Sequence, residues 1–185
     1  MRSQVAFAAL LLCAAVVGCS PTPPTQWEEE VRLSDGRVLR VRRIQEWEVR
    51  RPLGDPKHFL PLATRLSIQE VPVKEWSGYA ESPLILEWDE QAQEFLLLVV
   101  PATCERYAQV GKPRPPYIEY RYRDSAWKRS SFSRSLVGRK PNLLVYPTWG
   151  PELSFVTLSD KEARNAQIYT FAEFEIRGDR GLGPC

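Results

Sequence analysis

Residue types that do chemistry are thinly spread along this chain. Its single histidine, His58, lies between Lys57 and Phe59 in a proline-flanked stretch. A Ser-His-Asp triad needs only spatial proximity, but no serine or cysteine motif points to His58, and a surface histidine is the plainer expectation. Ser125-Ala126-Trp127-Lys128 has the Ser-x-x-Lys spacing of an acylating serine. That chemistry requires the serine to open a helix and two companion motifs, Ser-Asp-Asn and Lys-Thr-Gly. Neither occurs, and the local pattern puts Ser125 in a turn before a strand, so the match is set aside. The 23 acidic residues offer many carboxylate pairs for a glycosidase-type mechanism, with none singled out. Arg177-Gly178-Asp179 spells an adhesion tripeptide that a chain of this length meets by chance. Lys112-Pro113-Arg114-Pro115-Pro116 would suit an aromatic groove that reads polyproline helices, but reads first as a rigid loop. No phosphate loop or dinucleotide motif is present. No catalytic residue and no cofactor emerge, and two cysteines with one histidine are too few for a metal site.

The cysteines carry a clearer message. The chain opens with one positive residue, Arg2, then an apolar run over residues 5–17, then Gly18-Cys19. A charged start, a short apolar core and small residues at the end describe a secretory signal, and the run is shorter than the roughly 20 residues of a membrane-spanning helix. Val16-Val17-Gly18-Cys19 resembles the lipobox of bacterial lipoproteins, with valine where leucine is commonest. The resemblance implies cleavage before Cys19 and a diacylglycerol thioether on it, usually with a third acyl chain on its amine. Several chains anchor stably where one would be marginal. Ser20 in place of aspartate after the cysteine implies, by the same resemblance, the periplasmic face of the outer membrane. Residues 1–18 are thus read as signal and 19–26 as anchor and tether. Ser20-Pro21-Thr22-Pro23-Pro24-Thr25 is extended, and at about 3.1 Å per residue lifts the folded domain some 20 Å from the lipid. Cys13 leaves with the signal, so Cys104 and Cys185 remain as an even pair in an oxidising compartment. Their disulfide would contribute roughly 4 kcal/mol through chain entropy.

Residues 27–185 form one domain, of a size that buries a real core. Without Arg2, the one charge in residues 1–18, the 25 basic residues fall to 24 against 23 acidic ones. Nothing in that balance suggests nucleic acid. Residues 27–33 and 37–47 pattern as a hairpin around Ser34-Asp35-Gly36, a three-residue loop ending on a left-handed glycine. That register sets Val31 against Leu39 on one face, and Glu30 against Arg40 and Glu28 against Arg42 on the other, where opposite charges contribute about 0.2–1 kcal/mol each. The acidic and basic runs read as a solvated face. Residues 50–63, with three prolines, read as a loop, and residues 64–70 as a strand with Leu66 and Ile68 inward. Residues 83–88 and 94–100 flank a polar turn, and the second run, apolar at every position, is a central strand covered on both sides. Residues 117–123 alternate, with Ile118, Tyr120 and Tyr122 on one face, then turn at Asp124-Ser125 into a strand bearing Trp127. Residues 142–146 and 168–176 read as further strands. Ser159-Asp160-Lys161-Glu162 patterns as a capping box for a helix over 160–167.

The fold class is therefore mainly β: an antiparallel sandwich or partly open barrel with one short helix late in the chain. Residues 27–37 (Trp27-Glu28-Glu29-Glu30 through Asp35-Gly36-Arg37), and the stretch from Cys104 through Lys112-Pro113-Arg114-Pro115-Pro116-Tyr117 to Trp127, resemble a family of proteobacterial envelope lipoproteins. The resemblance implies location and a single folded unit, and brings no activity, cofactor or partner. The leading expectation is a non-catalytic lipoprotein, held to the membrane by its lipid, that binds an envelope protein or glycan. Tyr117, Tyr120, Arg121 and Trp127 are its candidate binding face. The alternatives are a periplasmic immunity or inhibitor protein bound to a secreted toxin, and an envelope hydrolase.

Overall fold

The computed structural model describes residues 22–50, 58–145, 154–167 and 175–178. Among these residues nine strands form two sheets. The first holds β1 (Thr25–Arg32), β2 (Val38–Arg50), β3 (His58–Ile68), β4 (Trp76–Tyr79) and β9 (Phe155–Val156), in the order β4-β3-β2-β1-β9. The second holds β5 (Glu81–Asp89), β6 (Glu94–Pro101), β7 (Ile118–Arg123) and β8 (Ala126–Ser130), in sequence order. The sheets do not close into a barrel; they face each other as a sandwich. Val31, Leu39, Val41, Leu66 and Ile68 of the first sheet meet Leu86, Phe95, Leu97, Val99 and Ile118 of the second. Every pairing is antiparallel except the two-residue contact of β9 with β1.

The first hairpin has the expected register: Val31 faces Leu39, Glu30 faces Arg40 and Glu28 faces Arg42. Gly36, at φ +88°, takes the left-handed position. Strand β6 lies between β5 and β7, and its apolar run is covered on both faces. Phe95, Leu97 and Val99 point into the sandwich. Leu96 and Leu98 pack outward against Leu136, Val145 and Ile176 from later in the chain. The β7–β8 turn is Asp124-Ser125, both residues with positive φ, the two-residue geometry that matches strand twist.

A single residue joins the sheets. Ala80 lies between β4 and β5 with φ +48°. Its N–H donates to the Leu62 carbonyl at 2.9 Å, and its own carbonyl accepts from Ala102 at 2.8 Å. The chain crosses from one layer to the other at that residue.

Several elements differ from the sequence reading. The loop expected over 50–63 is in part ladder: β2 runs to Arg50, β3 starts at His58, and Trp47 faces Pro61 beside a register shift at Glu46/Trp47. A proline is tolerated there because β4 pairs only from Ala63 onward, so Pro61 lies on an edge with no neighbour awaiting its N–H. The strand expected over 142–146 is absent among its described residues. Asn142 instead sets its side-chain amide against β5, accepting from the Leu86 N–H at 2.9 Å and donating to the Leu86 carbonyl at 2.7 Å. One side chain does what a strand's peptide would. The strand expected over 168–176 lies outside the described residues, apart from 175 and 176, which carry none.

The late helix, α2 (Leu158–Gln167), begins two residues early. Its cap is Thr157, whose Oγ1 accepts from the Asp160 N–H at 3.2 Å while Asp160 accepts from the Thr157 N–H at 3.0 Å. That is the reciprocal logic of a capping box, shifted off Ser159 and Glu162. A second helix, α1 (Cys104–Gln109), is capped by Thr103, whose side chain accepts from Arg106 N–H.

Candidate functional site

The four residues read as a binding face are separated by the pleat of the second sheet. Tyr117 is buried among Leu84, Ile85 and Leu98 and stacks on Phe132 with ring centres 5.6 Å apart. Burial raises its phenol pKa. Tyr120 points the other way, edge-on to Trp76 at 5.6 Å, with its hydroxyl on the Glu81 carboxylate at 3.1 Å. Burial and that carboxylate push its pKa up to about 12. Trp127 packs edge-on to Tyr122 and donates from its indole to the Lys74 carbonyl at 2.8 Å. The three rings are committed to internal packing, and a common aromatic face is not formed. The physical reason is period-2 alternation, which sends positions 117 and 121 to one side of β7 and position 120 to the other.

Arg121 does take part in a shaped surface. Glu87, Leu96 and Arg121 stand side by side across β5, β6 and β7 and floor an open groove of about 480 Å³, within the usual size of small-ligand clefts. The β1–β2 turn walls one side with Ser34 and Asp35. The stretch after β8, with a single 3-10 turn at Arg134–Leu136, supplies Leu136 and Arg139.

The arginines along this groove are closed onto carboxylates. Arg121 donates to Asp89 at 2.8 Å, Glu94 at 2.5 Å, Glu119 at 2.7 Å and the Ser133 hydroxyl at 2.9 Å. Burial works against the charge on Arg121, yet its bonds to Glu94, Asp89 and Glu119 hold its pKa above the ordinary arginine value. Asp89 is held low chiefly by Arg121, and Glu94 chiefly by Arg123. Glu87 accepts from the Ser34 N–H at 2.9 Å, from its hydroxyl at 2.8 Å, and from Arg139. The lining carries Asp35, Glu87, Asp89 and Glu90 against Arg121 and Arg139, so the groove is acidic on balance and its two arginines are already bonded to carboxylates. A general acid needs a carboxyl held protonated near neutral pH, and the groove's perturbed acids, Asp35 and Asp89, are shifted the opposite way.

A second charged cluster lies inside the sandwich, where the sequence reading expected only a solvated face. Glu29 is fully buried. It accepts from Arg43 at 3.1 Å, the Trp27 indole at 3.2 Å, the Leu144 N–H at 2.8 Å and Lys161 of α2 at 3.2 Å. The Arg43 guanidinium lies 4.7 Å from the Trp27 ring centre and donates to the Leu144 carbonyl at 2.6 Å. Desolvation lowers the pKa of both Arg43 and Lys161. The signal for this cluster was available: residue 29 shares a face with Trp27 and Val31 by simple alternation. The outward half of the reading holds for Glu28, Arg40 and Arg42, which keep to the solvent side.

His58 is exposed at the start of β3, opposite Arg50. Ser125 is in a turn with φ +60°, outside any helix. Pro116 is buried and the Tyr117 N–H donates to the Pro115 carbonyl at 2.8 Å, so the proline-rich segment folds onto the body as a loop. Cys104 opens α1; Cys19 and Cys185 lie outside the described residues. Among the described residues no three metal-ligating side chains are grouped, and no helix is long and apolar enough to cross a membrane. No family model, no curated protein and no solved structure matches the chain.

Proposed function

We propose that the chain is a lipid-anchored envelope protein at the periplasmic face of the outer membrane, acting as a non-catalytic binding module. The observation that carries the reading is Val16-Val17-Gly18-Cys19 followed directly by a proline-rich tether, which hands over to β1 at Thr25. Lipid on Cys19 would hold the sandwich within about 20 Å of the membrane. The binding reading gains over a hydrolase from the groove's chemistry, since Asp35 and Asp89, held low by Arg37 and Arg121, are poor proton donors near neutral pH. Cys104 paired with Cys185 belongs to the same proposal.

The test is to crosslink in cells, purify the chain from membranes in mild detergent beside a Cys19→Ala control, and read both by mass spectrometry. Acyl chains on Cys19, and co-purifying envelope material lost with Cys19→Ala, are expected. An unmodified Cys19, or a chain that fractionates away from membranes, would overturn the anchor and the reading with it.

A further inference from the structure

At one end of the first sheet two strands outrun their neighbours. β1 stops pairing at Thr25 opposite Gln45, and β4 at Tyr79 opposite Ala63. Beyond those pairs only β2 and β3 continue among the described residues, as a two-stranded ribbon that ends at Arg50 opposite His58. Its register sets Trp47 against Pro61 and Val49 against Phe59, and directly opposed side chains share a face. One face of the ribbon is therefore Trp47, Val49, Phe59 and Pro61, all half-buried; the other carries Glu48, Arg50, His58 and Leu60. Among the described residues, Trp47 and Val49 join none of the apolar clusters that fill the sandwich. A two-stranded ribbon is marginal in water by itself, and an apolar face on it calls for a surface to lie on.

The tether indicates which surface. β1 runs antiparallel to β2 from Thr25, so the tether joins the fold at the base of the ribbon. The Trp47 indole donates to the Thr25 hydroxyl at 2.9 Å, and the apolar face starts where the tether ends. From Gln45 to Arg50 the ribbon extends about 17 Å at roughly 3.3 Å per residue. Cys19 lies six residues before Thr25, a reach of about 19 Å as a polyproline helix. The ribbon's end and the anchored cysteine thus arrive at nearly the same height.

We propose that the Trp47–Val49–Phe59–Pro61 face lies on the lipid surface that carries the anchor, as a second foothold that sets how the sandwich stands on the membrane. The proposal rests on the reading that Cys19 is acylated. Acyl chains already hold the chain at the bilayer, so docking of the ribbon is intramolecular and a weak apolar contact suffices. Tryptophan suits the place, since its amphipathic ring favours the headgroup level.

The mature chain, purified from membranes, is reconstituted in vesicles of phosphatidylethanolamine and phosphatidylglycerol whose acyl chains carry bromine, a short-range quencher of indole fluorescence. Two variants each add one tryptophan to β2: Val49→Trp near the ribbon's end and Val38→Trp at the other end of the strand. Measured against unbrominated vesicles and the parent chain, quenching of the indole at position 49 should be several-fold that at position 38. Adding Phe59→Asp, directly across from position 49, should remove most of that difference while the circular dichroism of the fold is kept. Equal quenching at 49 and 38, or a difference that a folded Phe59→Asp chain retains, overturns the proposal; the first comparison decides even where the second variant does not fold. The mass of Cys19, read on the same sample, keeps the two ideas apart. Acylated chain with equal quenching removes the ribbon's role alone, and unacylated chain removes the anchor and the ribbon's role with it.

Discussion

Replacing Glu29 by glutamine tests how the interior of the first sheet is held. The change keeps the side chain's size and removes the one carboxylate that faces both Arg43 and Lys161. Glu29 is 0% exposed, and the side chains of Arg43 and Lys161 are 1% and 6% exposed, so neither cation can turn to water. The new amide NH₂ would also face donors, since the original oxygens accept from the Leu144 N–H, the Trp27 indole and both cations. Breaking a buried pair by removing one partner costs about 3–5 kcal/mol. That is a large part of a typical domain stability of roughly 5–15 kcal/mol. At about 2–4 °C per kcal/mol for a domain of this size, Glu29→Gln should lower the melting temperature by on the order of 10 °C. The triple variant Glu29→Leu/Arg43→Met/Lys161→Met removes all three charges together and should be near neutral or stabilising. Urea unfolding followed by tryptophan fluorescence measures both. A Glu29→Gln variant within about 1 kcal/mol of the parent, or a triple variant as damaged as the single, would show that water or rearrangement compensates the charges and that the burial argument is wrong.

Two other expectations are independent of that cluster. Thr157→Ala should cost about 1 kcal/mol by removing the α2 cap, whereas Ser159→Ala should stay within about 0.5 kcal/mol; equal losses in chemical denaturation would return the cap to Ser159. For pH, the sign follows from the raised phenol of Tyr120. Below its unfolded value of 10 both states hold the proton. Between 10 and about 12 the folded state keeps a proton the unfolded state releases, so stability falls across that window. The loss should reach up to roughly 2 kcal/mol after allowance for screening, and Tyr120→Phe should flatten that part of a pH-dependent unfolding curve. An unchanged alkaline slope in Tyr120→Phe would place the phenol in contact with water.

The parts of the fold that are legible in the sequence are those written in local pattern. The first hairpin can be read to the residue because a glycine fixes its loop and Glu28, Glu30, Arg40 and Arg42 all agree on one register. Strand β6 is legible because an apolar run with no polar alternate has nowhere to be but the centre. Glu29 misleads because three successive glutamates look alike, and composition overrides the parity that sends the middle one inward. Helix α1 has six residues and buries none of them, so it has no apolar period to announce it; the Thr103 cap is its only local sign. The β5 edge is closed by the side chain of Asn142, fifty-six positions from its partner Leu86, which no strand pattern could reveal. The groove is invisible for the same reason. Its floor comes from three strands and its walls from two distant turns, and of its residues only Arg121 stands out in the sequence, for an aromatic face that the pleat divides.

The outer cover of β6 has a consequence for synthesis. Leu96 and Leu98 are shielded by Leu136, Val145 and Ile176, so one side of the second sheet stays bare until residues 136–176 have been made. A growing chain can pair β1 with β2 early, but it carries an open apolar wall until Ile176 is in place. Premature termination after β8 would leave that wall permanently uncovered, a surface of the kind that draws other chains. Nascent chains of this protein therefore have reason to need a holdase until residue 176 has been made, and products truncated before it to end as aggregates or protease substrates and not as smaller working domains.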